Sequence, residues 1–162
     1  MTRSINMANR IREVLLSGHW IANTNMQEQI RSVDWQQATF KVDTLNTIAA
    51  LTYHLNYYLA GLIDAFENGK LEISDKYSFD LPIIDSAYDW DKLVSSFLQN
   101  SEMFAERIEQ MQDDMFDKPF IDAKYGTVLR NIEGVIEHSY YHLGQITLIK
   151  KMILQYNKKG DT

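Results

Sequence analysis

Apolar residues recur at helical spacing along four stretches of this chain, and polar residues fill the positions between them. The first stretch runs from about Ser4 to Ser17, with Ile5, Ala8, Ile11 and Leu15 on one stripe and Gly18 as a stop. The second runs from about Thr44 to Asn68, with Ile48, Leu51, Leu55, Leu59, Leu62 and Phe66 facing inward. The third opens near Asp89, read as its cap, and carries Leu93, Phe97, Phe104, Ile108 and Met111. The fourth begins near Thr127 and ends near Tyr156, roughly 45 Å of helix, with Ile132, Ile136, Leu143, Ile146 and Ile153 as its stripe. Alternating strand character is weak and confined to Leu71–Phe79. The prediction is an all-α protein, a four-helix bundle.

Two connections in this pattern are long. The segment SGHWIANTNMQEQIRSVDWQQATFKV lies between helices one and two and has room for one or two short helices. GKLEISDKYSFDLPIIDSAYD lies between helices two and three and is expected to cross the bundle. Long connections within a compact domain often carry function. No repeat, low-complexity tract or interdomain linker interrupts the chain, so residues 1–162 are read as one domain.

Composition narrows the function classes. The chain has 162 residues, 45% of them hydrophobic, with no run approaching the length of a membrane span. The start, MTRSINMANRIREV, is polar and has no apolar core of the kind a signal peptide needs. There is no cysteine, hence no disulfide, thiolate ligand or cysteine nucleophile, and a cytoplasmic location is the default expectation. The formal charge of −6 argues against nucleic acid as a partner. Lys150, Lys151, Lys158 and Lys159 cluster near the C-terminus, where they offset the carbonyl end of the last helix. A membrane partner is not expected either, and a small molecule is the natural substrate class.

The chemistry gathers on the histidines. Of four in the chain, His138 and His142 are four residues apart in the last helix, about 40° apart on its wheel, at one edge of the apolar stripe. His54 holds the corresponding edge of the second helix at a similar depth. In an up-and-down bundle helices two and four run parallel, so the three imidazoles can converge. Around His54 lie Thr47, Ala50, Gly61 and Ala65; near the pair lie Asn131, Gly134 and Gln145. These neighbours are small or polar. Glycine inside a helix costs about 1 kcal/mol relative to alanine, which marks Gly61 and Gly134 as sites of close packing or of a cavity. His19 follows Gly18 in a loop beside Trp20 and is read as a surface or packing residue.

Three imidazoles without a fourth protein donor make an open coordination sphere, a catalytic rather than a structural arrangement for zinc. Nickel, iron(II), cobalt or manganese would also suit it. Water or a thiol in the open position would be activated near neutral pH. The alternative is a non-catalytic helical bundle serving self-association or protein association, with the histidines as core residues.

Other catalytic patterns are missing. Ser139 stands where the general-base glutamate of an H-E-x-x-H helix would be, and Glu137 lies about 100° away, facing solvent. There is no G-x-S-x-G elbow, P-loop or G-x-G-x-x-G. Tyr58, Asn131, Tyr141 and Gln145 are the candidates for contacting a substrate or the ligands; each also reads as a bundle residue whose polar end reaches water.

HSYYHLGQI in the last helix, taken with LTYHLNYYLAG in the second, resembles the DinB/YfiT-like superfamily. The residues carrying the resemblance are His54, His138, His142, Gly144 and Gln145, and the segment from Ser17 to Val42 looks like the superfamily's Gly-Trp loop. The resemblance implies a four-helix bundle, commonly dimeric, with one divalent metal ion on His54, His138 and His142. It also implies chemistry such as low-molecular-weight thiol transfer, thiol-dependent isomerisation or hydrolysis, with bacillithiol- or mycothiol-type cofactors in some relatives. It does not identify a substrate.

Overall fold

The computed structural model describes residues 2–160, with side chains to Tyr156, so the expectations for Lys158 and Lys159 lie outside the described side chains. The described residues form six α-helices and no β-strand. Helix α1, Arg3–Arg12, is capped by Thr2, whose side chain accepts from the Ile5 N–H, and it continues into a π-helical turn, Glu13–Ser17, before Gly18. Its stripe is broader than the periodicity suggests: Met7 and Val14 are buried with Ala8, Ile11 and Leu15, whereas Ile5 is half-buried. The first long connection does contain two short helices, α2 (Met26–Arg31) and α3 (Trp35–Thr39). Asn25 caps α2, and Asp34 caps α3 in a capping box with Gln37.

Helix α4 spans Ile48–Asn68. It starts four residues later than Thr44, because the Thr47 side chain accepts from the Ala50 N–H and fixes the first turn there. It ends where Gly69 takes a left-handed conformation, φ 69°, and returns its N–H to the Ala65 carbonyl. Helix α5 is Ala87–Glu109. Its cap is Ser86 rather than Asp89; Asp89 sits in the first turn, its N–H donating to Ser86 Oγ, and its carboxylate accepts from the Ser86 hydroxyl. Helix α6, Val128–Gly160, carries the last apolar stripe as expected. The weak alternation at Leu71–Phe79 does not become a strand: the segment holds a single 3₁₀ turn, Asp75–Tyr77. Its backbone closes local turns instead, the Tyr77 N–H donating to the Ser74 carbonyl and the Ser78 N–H to the Asp75 carbonyl.

The core lies between the long helices. Helix α5 packs against α1 and α4, and α6 packs against α4, α1 and α2. Phe97, Phe104, Ile108, Leu51, Leu55, Ile132, Ile136, Leu143 and Ile146 are all buried in one cluster. Each such side chain contributes about 1.5–3 kcal/mol on removal from water. Polar ties orient the layers: Arg12 reaches Glu102 and Glu109 on α5 at 2.8 Å each, and Trp90 Nε1 donates to the Val33 carbonyl at 3.2 Å. Lys150 ties α6 to α2 through the Gln29 side chain and to Ser32 just beyond it.

The second long connection crosses α4 and is pinned there. Tyr57 Oη donates to the Ser74 carbonyl at 3.1 Å and accepts from the Ser74 N–H at 3.0 Å. A Cβ on Gly61 would fall 2.5 Å from Ile73 Cγ1, so glycine is what lets the connection lie this close to the helix. The pinning delivers Ser78 and Phe79 to the face of α4 that carries His54.

Candidate metal centre

His54 projects from the second turn of α4, and His138 and His142 from successive turns of α6. His54 and His142 are buried, and His138 is half-buried. Their Nε2 atoms converge: His138 Nε2 lies 3.2 Å from His54 Nε2 and 2.8 Å from His142 Nε2. All three ligand atoms fall within 4.8 Å of one another. The expected meeting of His54 with the pair is therefore present.

Electrostatics favour the neutral rings a cation requires. Burial pushes the His138 pKa down to about 4, assisted by His142 and His54. Burial likewise lowers His54, with His142 adding to it and the Ser78 backbone opposing it. His142 is lowered by burial, against the Gln145 side chain, which favours its charged form. Gln145 Oε1 lies 2.7 Å from His142 Nδ1, so Nδ1 carries the proton and Nε2 offers its lone pair. His54 Nδ1 is buried and makes no hydrogen bond among the described residues, although the Ser78 backbone is close enough to favour the charged ring.

These features test the fit of a cation. Neutral imidazoles aimed nitrogen to nitrogen repel through their lone pairs unless a proton or a cation lies between them. Ligands of a tetrahedral zinc at about 2.1 Å stand roughly 3.4 Å apart; the His54–His138 separation is close to this and the His138–His142 separation is shorter. The donor set fits a divalent ion bound by three histidines.

Aromatic rings enclose one side of the cluster. Phe79 stacks on His54 with centroids 4.2 Å apart and planes at 15°, and Tyr58 meets His54 and His138 edge-on at 5.0 and 5.6 Å. Tyr58 Oη donates to Asp75 Oδ1 at 2.5 Å. Burial, then the Asp75 carboxylate, raises the Tyr58 pKa to about 12, so the phenol remains a hydrogen-bond donor. His138 also opens onto a groove of about 550 Å³, with Tyr58, Asp75, Asn131 and Gly134 in its lining.

The four candidate contact residues separate here. Tyr58 and Asn131 line the groove, whereas Gln145 holds His142 and Tyr141 is 64% exposed, touching only the His142 ring among the three imidazoles. The Asn131 amide nitrogen donates to the Tyr125 and Thr127 carbonyls, each at 2.8 Å. Glu137 faces solvent as expected, paired with Arg130 at 3.0 Å, and the Ser139 hydroxyl donates to the Val135 carbonyl. His19 is an exposed loop residue paired with Glu28. Gly61 and Gly134 answer the two readings differently: the first is close packing, the second borders open space, with nothing within 4 Å of its would-be Cβ. Asp75, Ser78 and Phe79 were absent from the sequence-derived site; their one signal was the length of the connection that bears them.

No helix among the described residues is long and apolar enough to cross a membrane. Neither the curated proteins nor the solved structures contain a match to this chain. A family model described as the DinB superfamily matches residues 23–146, a span that includes His54, His138, His142 and Gln145. With more than half of its length matched and three histidines gathered where one metal ion could be held, this chain belongs to the DinB superfamily.

Proposed function

We propose that this protein is a metal-dependent enzyme in which His54, His138 and His142 hold one divalent cation. The reaction is transfer of a low-molecular-weight thiol to an electrophile, or hydrolysis of a small substrate. The observation that carries this reading is the convergence of three neutral Nε2 atoms beside an open groove. Bound there, zinc, nickel, iron(II) or manganese would supply Lewis acidity and lower the pKa of a water or thiol at its open position.

The chain's own residues have separable tasks. Gln145 selects the His142 tautomer, Phe79 covers one face of His54, and the protonated Tyr58 stands between the histidines and Asp75. None of the general bases of known hydrolase motifs stands beside the pair, which favours an activated thiol or water over side-chain nucleophilic catalysis. The four long segments α1, α4, α5 and α6 are read as the helices of a DinB-like bundle, supported by the packing of α5 on α1 and α4 and of α6 on α4. A homodimer, a cytoplasmic location and a small-molecule substrate complete the proposal.

The test is conjugation of monochlorobimane with several low-molecular-weight thiols by zinc- and nickel-loaded protein. Thiol-dependent conjugation that is lost in His142→Ala supports transfer. A metal-loaded protein inert with every thiol rejects transfer and leaves hydrolysis, assayed with small activated esters and amides.

A further inference from the structure

The groove beside His138 has a chemical asymmetry that bears on what it admits. Leu62, Leu71, Ile73, Phe120 and Val135 give it apolar walls, and Gly134 leaves its floor open one turn before His138. Its charged lining residues are Asp75 and Arg130. The Asp75 carboxylate is occupied by Tyr58, which itself touches the His138 ring, so negative charge already stands at the histidine end.

Arg130 is eight residues before His138, roughly 12 Å along the helix. Its guanidinium reaches forward to Glu137, which brings it over the turns that contain Gly134. Only Nη1 is engaged in that pair, and both side chains are well exposed, 60% and 63%. An exposed pair of this kind contributes little and is readily exchanged. Nη2 and Nε have no hydrogen-bond partner among the described residues, so the guanidinium of this groove-lining arginine keeps a planar pair of donors suited to a carboxylate or similar anion.

We propose that the groove takes a substrate with an apolar body and an anionic tail, the body lying over Gly134 and the anion on Arg130, with the reacting end at the histidines. Gly134 and Arg130 are then specificity-determining residues, the first by the space it leaves and the second by charge. The inference rests on the metal-site reading for the identity of the reacting end, but not for the groove itself.

The experiment is a titration of isotopically labelled protein with 6-mercaptohexanoate and with the neutral 6-mercaptohexan-1-ol, following the amide signal of Val135, which lines the groove, by NMR. Zinc-loaded and metal-free protein are both used. The acid is expected to bind about tenfold more tightly than the alcohol in both forms, the size of one charge-assisted contact. Arg130→Gln abolishes that preference, and Glu137→Gln, which removes the competing carboxylate, enlarges it. Gly134→Phe weakens both ligands while leaving zinc stoichiometry unchanged. Equal binding of acid and alcohol, or a preference that survives Arg130→Gln, overturns the proposal. Failure to bind zinc alongside an Arg130-dependent preference would remove the metal reading and leave the groove assignment standing.

Discussion

Gln145 Oε1 accepts from His142 Nδ1 at 2.7 Å, one turn beyond the point where His142 Nε2 meets His138 Nε2. The bond fixes the tautomer that leaves Nε2 free, and it holds the ring plane. Substituting Gln145 with alanine should weaken metal binding about 10- to 100-fold without abolishing it. Competition with a chromogenic chelator measures this; an unchanged affinity would mean that packing alone orients the ring.

Metal should stabilise the native chain. At 100 times its dissociation constant, free zinc is expected to add about 2.7 kcal/mol, and a chain of this size then melts roughly 5–10 °C higher. The shift should vanish in His54→Ala, His138→Ala and His142→Ala. A thermal scan with and without chelator decides it, and a shift that persists in all three variants would place the binding elsewhere.

The pH dependence has a definite sign. His138 titrates near 4 in the native state and near 6.5 when unfolded, so between these values the unfolded chain holds more protons. Stability of the metal-free protein contributed by this group is present above about pH 6.5 and is lost as pH falls towards 4. His54 and His142, also lowered, act in the same direction. Urea unfolding at a series of pH values should show the decline steepest in that window, and His138→Gln should flatten it.

Gly61 and Gly134 should respond oppositely to alanine. At Gly61 the new methyl group would meet Ile73 at 2.5 Å, and the overpacking should outweigh the gain in helix propensity, destabilising by about 1–2 kcal/mol. At Gly134 nothing stands within 4 Å, so alanine should stabilise by about 0.5–1 kcal/mol. Denaturant titration compares them directly, and equal effects would contradict the placement of the 69–86 connection.

That connection should also loosen when its clamp is removed. Tyr57→Phe deletes both hydrogen bonds to Ser74, at a cost of about 1–2 kcal/mol. Amide exchange at Ser74 should accelerate, while exchange within α5 should not change at residues protected by global unfolding beyond the loss of stability.

The stripes through Leu51, Phe97, Ile136 and Ile146 were legible in the sequence because each stretch pays its apolar residues into a single buried face. The histidine trio was legible for the same reason: a helical period converts spacing into direction, and three directions agreed. Helix boundaries were less so. Thr44 and Thr47 are both good caps on composition, and Ser86 and Asp89 compete within one turn; the winner depends on where the chain enters the bundle. Phe79 and Asp75 were beyond reach, since their place over His54 is set by Tyr57, Tyr58 and Gly61 across a tertiary contact that has no periodic signature. Tyr141 precedes His142 as Glu137 precedes His138, about 100° around the helix, and its side chain goes to solvent as that of Glu137 does.

The central claim is that one cation belongs among His54, His138 and His142, and metal content tests it most directly. Protein purified without a histidine tag is expected to carry close to one equivalent of a divalent metal per chain by elemental analysis, falling below a third of an equivalent in His142→Ala. Less than a third of an equivalent in the unaltered protein, unchanged by that substitution and not restored by added zinc or nickel, would contradict it.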